Sequence, residues 1–335
     1  MPEAKSQILA NFGDNHNGNP ELAKQLVGLA SSAGCDGVVL PHRRSERGYT
    51  QAALLQAMLD GSHAHTTRGE LLRTLELSSD DLKSLRNSCR GRLSFVGAPY
   101  DLQALADLED SEPDAYQVDP PVLSHIPLLE AIASTHRPAI LVAGRCTEDD
   151  IAAAVGMFKK QSLTLLHCVY APSVSLESTA LWYIPILQQK FQIPTGYMGL
   201  EPGINGSVAA FALGARTIEK VFTSDRFLPG PSHASSLDRD ELRELVLCLR
   251  QLENALKGEP PRVLLQPELS GAADPQACLV AAHYLPAGET LSESMLSVKL
   301  APDGIHPKLA KSLIGRRLAY DVPADAPLVF GVVEA

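Results

Sequence analysis

Short apolar runs alternate with longer amphipathic segments over about the first 256 residues of the chain. The short runs predict strands and the longer segments predict helices, an order that is typical of parallel βα units. Eight such pairs in this length are the usual size of a (β/α)₈ barrel, although the pattern alone leaves an open doubly wound sheet as an equal alternative. The predicted strands are Ile8–Phe12, Gly37–Leu40, Leu93–Gly97, Ala115–Val118, Ala139–Val142, Thr164–Cys168, Thr195–Tyr197 and Thr217–Phe222.

Capping signals predict where some helices begin and end. Asn19 followed by Pro20 predicts a helix start, and Gly34 predicts the end of that helix. Thr147-Glu148-Asp149-Asp150 resembles a capping box at the start of another helix. Residues 41–78 interrupt the alternation with a polar insertion rich in His and Arg.

A second, smaller domain is predicted after the barrel region. Residues 1–258 form the first domain, and 259–276 form a linker because they carry runs such as Gly-Glu-Pro-Pro and Ala-Asp-Pro. Residues 277–335 contain short apolar runs separated by turn signals, which predicts a small β-rich module.

Composition and charge exclude several classes of protein. A chain that is 45% hydrophobic and 20% charged is globular, and its net charge of −10 argues against nucleic acid or a membrane as a partner. The six cysteines form no C-x-x-C pair, which predicts reduced thiols in the cytoplasm. The N-terminus shows no signal-peptide core, and no apolar stretch approaches the roughly 20 residues that span a bilayer.

Several short motifs are spread along essentially the whole chain. They are Asn15-His16-Asn17-Gly18, Ala33-Gly34-Cys35-Asp36-Gly37-Val38, Arg137-Pro138-Ala139-Ile140-Leu141, Leu165-Leu166-His167-Cys168, Ile218-Glu219-Lys220, Leu228-Pro229-Gly230-Pro231, Ala287-Gly288-Glu289-Thr290-Leu291 and Ile314-Gly315-Arg316. In these motifs and in their order, the chain resembles the N-acetylneuraminate (sialic acid) synthase family.

The resemblance implies a (β/α)₈ TIM barrel followed by a small antifreeze-like (SAF) domain. It also implies condensation of phosphoenolpyruvate with an N-acetylated amino sugar, assisted by a divalent metal that polarises the aldehyde. By the same resemblance, we expect a homodimer in which the SAF domain of each subunit covers the barrel mouth of the other.

The residues that would run this chemistry are largely replaced. The two histidines that hold the metal in the family correspond to Leu200 and Val221, which have no lone pair to donate, so we expect no metal cofactor. Two family lysines correspond to Val39 and Gln117, and a family glutamate corresponds to Asn11. The arginine that reaches across the dimer from the SAF domain corresponds to Leu300, and the Ser-Gly-acid and Ser-Thr-Gly segments are also changed.

The polar residues that remain are the candidates for a site. Glu219 and Tyr197 are candidate catalytic residues, and Asn15, His16, Asn17, Lys220 and His233 are candidate ligand-binding residues. Other roles stay open: Asn17-Gly18 in a tight turn, Tyr197 in the core, and His233 as a group that fixes a loop. His42, Arg43 and Arg44 follow the second strand and are predicted to bind an anionic sugar or phosphate, unless they belong to a solvated loop.

These observations favour a divergent or inactive family member that acts as a binding, scaffold or regulatory protein, and they leave an active synthase relative open as its partner. The alternative is an active synthase of the same kind with an altered substrate and site. A purely structural dimer without a pocket is the third interpretation.

Overall fold

Eight parallel strands form a closed barrel in which each strand pairs with its neighbours in the chain and β8 pairs with β1. The computed structural model describes residues 6–57, 67–158, 162–171, 173–258, 263, 265, 266, 268 and 274–333. The closed barrel confirms the predicted (β/α)₈ fold and excludes the open sheet. Its strands are β1 (Gln7–Asn11), β2 (Gly37–His42), β3 (Ser94–Pro99), β4 (Ala115–Val118), β5 (Ala139–Ala143), β6 (Leu163–His167), β7 (Thr195–Gly199) and β8 (Thr217–Val221).

Helices surround the barrel, and several of them begin at a capping side chain. Asn19 accepts hydrogen bonds from the backbone nitrogens of Glu21 and Leu22, and Gly34 ends the same helix in the left-handed region at φ +89°, as the sequence predicts. The predicted capping box at Thr147 is also present. The helices are α1 (Pro20–Ala33), α2 (Ser45–Gly48), α3 (Gln51–Leu54), α4 (Arg68–Thr74), α5 (Ser79–Cys89), α6 (Leu102–Glu109), α7 (Ile126–Ser134), α8 (Glu148–Met157), α9 (Tyr183–Phe191), α10 (Asn205–Ala212) and α11 (Arg239–Ala255).

Side chains alternate between the barrel interior and the layer between strands and helices. Leu9, Val39, Val96 and Met198 belong to the inner apolar cluster, whereas Ile8 and its counterparts on other strands pack against the helices. The interior is therefore filled, and only the ends of the strands are open to form a site. The described helices include none that is long and apolar enough to cross a membrane.

The polar insertion predicted at 41–78 contains regular structure. Its first two residues, Pro41 and His42, still belong to β2 and pair in register with Ala98 and Pro99 of β3. The short helices α2, α3 and α4 follow, so this segment is a folded connection between β2 and α5 in the parts that the structure describes.

The chain divides into two compact units, Met1–Lys257 and Gly258–Ala335. In the second unit, β9 (Gln276–Ala281) pairs antiparallel with β10 (Leu296–Ala301), and the short helix α12 (Ala310–Leu313) follows. Buried Leu279, Leu285 and Leu328 belong to its own apolar core. Most of the predicted linker 259–276 lies outside the described residues, and its last residue, Gln276, opens β9.

Candidate active site

A cavity of about 540 Å³ opens at the carboxyl ends of the barrel strands. This end of a (β/α)₈ barrel is where ligands bind, and the volume lies in the usual range for small-molecule sites. Asn11 and Val221, the last residues of β1 and β8, belong to its wall. The other polar side chains that line it are Asp14, Arg43, Tyr49, Arg68, Tyr100, Asp119, Arg145, Tyr170, Lys220, Ser232 and Ser235.

Two carboxyl groups and two amides form a buried network at the base of this cavity. Nε2 of Gln117 donates hydrogen bonds to Oδ1 of Asp119 at 2.8 Å and to Oε1 of Glu219 at 3.0 Å. Nδ2 of Asn11 donates to the same oxygen of Glu219, and the hydroxyl of Tyr100 donates to Oδ2 of Asp119 at 2.9 Å. Oε2 of Glu219 and Oε1 of Gln117 are buried without a partner among the described residues. The network therefore retains hydrogen-bonding capacity that the described residues do not use.

Burial favours the neutral form of both carboxyl groups. Burial, followed by the nearby Asp119, raises the pKa of Glu219 from 4.5 to about 8, although the amides of Gln117 and Asn11 oppose the shift. Burial also raises the pKa of Asp119, against the hydrogen bonds from Gln117 and Tyr100. Glu219 is thus largely protonated near neutral pH and can donate a proton.

The predicted anion site after β2 is divided between two places. Arg43 lines the barrel cavity, where its Nη2 lies 3.0 Å from Oδ1 of Asp14 and its Cζ lies 4.8 Å from the ring centroid of Tyr100. Arg44 lies in a separate groove, where its Nε donates to Asp107 at 2.6 Å. His42 is also beside Asp107, at 3.4 Å, and is not part of the cavity wall.

Asn15 is a structural link between two loops. Its Nδ2 donates to the carbonyl oxygen of Phe222 and to Oγ of Ser236, both at 2.8 Å. These bonds tie the loop after β1 to the loop after β8. Asn15 is fully buried and does not line the cavity.

The same connection between the loops also involves Asn17 and His233, and His16 stabilises the turn after β1. Asn17 adopts a left-handed φ of 49°, and its Nδ2 donates to the carbonyl of Pro229 at 2.8 Å. Nδ1 of His233 lies 2.6 Å from Oγ1 of Thr223, and its Nε2 lies 3.3 Å from Oδ1 of Asn17. His16 accepts a hydrogen bond from the backbone of Gly18, and burial lowers its pKa to about 4. The geometry matches the turn and loop-fixing roles, and the three side chains are not part of the cavity wall.

Tyr197 and Lys220 have their polar groups bound to one carboxylate, that of Glu201. The hydroxyl of Tyr197 donates to Oε2 of Glu201 at 2.7 Å, and Nζ of Lys220 lies 3.3 Å from Oε1. Tyr197 belongs to the core between the barrel and the helices, on the opposite strand face from Met198. Glu219, the other candidate catalytic residue, pairs in register with Met198, so the two candidates lie on opposite strand faces.

The cavity wall does not fit a divalent metal ion. Leu200 and Val221, which by the resemblance correspond to metal-binding histidines, line the wall with apolar side chains. The carboxylates of the described lining are Asp14, which pairs with Arg43, and Asp119. The described residues contain no group of three or more His, Cys, Asp or Glu side chains arranged to hold a metal.

Several cavity residues were not predicted from the sequence. Asp119 and Tyr100 directly follow β4 and β3, so their positions at strand ends were a usable signal. Arg68 lies inside the polar insertion, where no sequence pattern fixes its distance from the barrel. Arg145 and Tyr170, in the loops after β5 and β6, were also missed.

Comparisons with known proteins place the chain in a family. The family model described as NeuB family matches residues 26–260, and the SAF domain model matches residues 276–333. The chain belongs to the NeuB family. N-acetylneuraminate-9-phosphate synthase of Mus musculus is 31% identical over 98% of this chain and 92% of its own length. N,N'-diacetyllegionaminic acid synthase of Legionella pneumophila is 29% identical over 98% of this chain and 94% of its own length.

Solved structures agree with this family assignment. The N-acetylneuraminic acid synthetase of Leptospira borgpetersenii matches with a TM-score of 0.70 and 25% identity over 80% of this chain and 90% of its own. A spore coat polysaccharide biosynthesis protein E from Chromobacterium violaceum has the same fold at 18% identity. Its TM-score is 0.78, and the match covers 99% of this chain and 100% of that protein. The NeuB relatives of this chain thus include synthases of nonulosonic acids.

Proposed function

We propose that this NeuB-family protein binds a ligand at the barrel mouth but does not catalyse metal-dependent condensation of phosphoenolpyruvate with an amino sugar. The observation that carries this proposal is the pair Leu200 and Val221 on the cavity wall, which the resemblance implies are at the positions of the family's two metal-binding histidines. Without imidazole ligands, the Lewis-acid activation of the aldehyde is lost, and this activation contributes several kcal/mol. Since each 1.36 kcal/mol is tenfold in rate, the loss amounts to about a thousandfold or more.

The phosphoenolpyruvate side of the cavity supports the same proposal. Val39 and Gln117 replace two family lysines, and both lie inside the barrel, where they provide no positive charge. The amide of Gln117 is already bonded to Asp119 and Glu219. The cations that neutralise a phosphate and a carboxylate in the family are therefore missing from these two positions.

Such a protein acts in nonulosonic acid metabolism as a binding, scaffold or regulatory component. We propose that it works in the cytoplasm as a homodimer with exchanged SAF domains, and that it pairs with an active synthase relative. Light scattering at micromolar concentration tests the dimer, and a monomer would contradict it.

A second candidate function is an active synthase with an altered substrate. Glu219, whose pKa is raised to about 8 beneath a ligand-sized cavity, favours this alternative because a general acid works best with a pKa near the operating pH. In this role, Glu219 would act from behind the cavity wall, because Asn11, which donates to its Oε1, lines the cavity and Glu219 itself does not.

A turnover assay decides between these functions. The purified protein is incubated with Mn²⁺, phosphoenolpyruvate and N-acetylmannosamine or its 6-phosphate, with an active family member as the positive control. We expect no release of phosphate and no nonulosonic acid above background. Turnover near the enzyme median of about 10 per second would overturn the proposal.

A further inference from the structure

Three arginines from three separate segments line the barrel cavity, and they differ in what they contact. Arg43 follows β2 and pairs with Asp14 at 3.0 Å. Arg68 opens α4, and its Nε is buried without a hydrogen-bond partner in the described part of the chain. Arg145 follows β5 and is exposed at the rim. Of these three arginines, Arg43 alone has an acidic partner within the part of the chain that the structure describes.

The charges around the cavity leave a local excess of positive charge. Asp14 is compensated by Arg43, and the ammonium of Lys220 is held by Glu201. Burial raises the pKa of Asp119, whose two oxygens already accept bonds from Gln117 and Tyr100. Among the described residues, Arg68 and Arg145 thus have no acidic partner, in a protein whose net charge is −10.

We propose that Arg68 and Arg145 hold the oxyanion of a sugar-sized ligand at the barrel mouth. A carboxylate or phosphate oxygen would satisfy the buried Nε of Arg68, and a guanidinium group suits either anion because it offers parallel donors. The rings of Tyr49, Tyr100 and Tyr170 line the same cavity and provide a surface for the carbon skeleton of the ligand. This inference rests on the proposed function in that it uses the same cavity. It does not involve the positions of the family's metal ligands and lysines.

Titration calorimetry on the full chain tests the oxyanion site. The probes are inorganic phosphate, N-acetylmannosamine 6-phosphate, N-acetylneuraminate and, as the neutral reference, N-acetylmannosamine. We expect at least one sugar anion to bind about tenfold or more tightly than the neutral sugar, and binding to weaken as salt rises. The phosphorylated sugar and the sugar acid separate a phosphate ligand from a carboxylate ligand.

Variants of one helix provide the matched control. Arg68→Ala should weaken binding of the anion about tenfold or more, and Arg68→Lys, which keeps the charge but loses the fork, should have a smaller effect. Arg73→Ala is the control, because Arg73 lies on the same helix, pairs with Glu46 and lines the separate groove. Arg73→Ala should bind as the unchanged protein does, and thermal unfolding verifies that each variant is folded.

Two results would overturn this inference. One is wild-type affinity in folded Arg68→Ala, and the other is the absence of any preference of the unchanged protein for the charged probes. The proposed function fails on a different measurement, the release of phosphate from phosphoenolpyruvate. Turnover in that assay would remove the proposed function and leave the result for Arg68 interpretable.

Discussion

Glu219 and Asp119 accept hydrogen bonds from the same nitrogen, Nε2 of Gln117, at 3.0 and 2.8 Å. One neutral amide thus lies between two buried carboxyl groups, at a position where the resemblance implies a lysine. An amide carries no charge to balance two carboxylates, so burial favours the state in which at least one of them is protonated. Because the groups are coupled, they titrate as a pair.

The first prediction is that Glu219 makes the protein less stable as pH rises. Its pKa is about 8 in the folded protein and ordinarily 4.5, so the folded state holds a proton that the unfolded state has released between these values. The free energy of unfolding should therefore fall as pH rises from about 4.5 to about 8. The upper limit of this fall is about 5 kcal/mol, at about 1.4 kcal/mol per pKa unit.

Denaturant unfolding at a series of pH values measures this effect. Glu219→Gln mimics the protonated form, so its stability should exceed that of the unchanged protein increasingly above pH 4.5. Asp119 and the buried thiol of Cys168, which face Glu219 inside the barrel, are retained in both proteins. Parallel pH profiles for the two proteins would show that Glu219 does not titrate in this range.

The second prediction concerns the link between the loops after β1 and β8. Asn15→Ala removes two buried hydrogen bonds, to the carbonyl of Phe222 and to Oγ of Ser236, and should cost about 1–3 kcal/mol of stability. Asn254→Ala is the control. Asn254 is exposed, and its side chain accepts a hydrogen bond from Nζ of Lys257, which is also at the surface. Equal unfolding midpoints for the two variants would contradict the structural role of Asn15.

The sequence predicted the barrel well because each strand is a short run of apolar residues bounded by polar loops. β4 occurs at the predicted residues Ala115–Val118. β2 extends beyond the predicted end at Leu40, since Pro41 pairs in register with Ala98 near the end of the strand. A proline lacks the backbone donor, which is why the pattern ended the strand early.

The sequence was less informative about which residues share a site. The resemblance left Glu219, Tyr197 and Lys220 as candidate site residues. The structure puts Glu219 inside the barrel, whereas the polar groups of Tyr197 and Lys220 are bound to Glu201. The alternation of side chains along β7 and β8 can be read from the sequence, and it separates Glu219 from Tyr197 and Lys220. The position of Arg68 was not visible, because it depends on how the insertion between β2 and α5 folds over the barrel mouth.

The last prediction is that restoring the two imidazoles restores metal binding. Leu200 directly follows β7 and Val221 ends β8, and these strands pair in register up to Gly199 and Lys220, so the two side chains are neighbours on the cavity wall. The double variant Leu200→His, Val221→His should bind Mn²⁺, because imidazole nitrogens are good ligands for divalent metals.

Electron paramagnetic resonance of free Mn²⁺ measures the bound fraction. The unchanged protein and each single variant should bind much less, since one imidazole leaves the site with too few donors. Leu213→His, at an exposed leucine outside the cavity, controls for the mere addition of a histidine. If the folded double variant binds Mn²⁺ no better than Leu213→His, the loss of these two ligands is not what separates this protein from a metal-binding synthase.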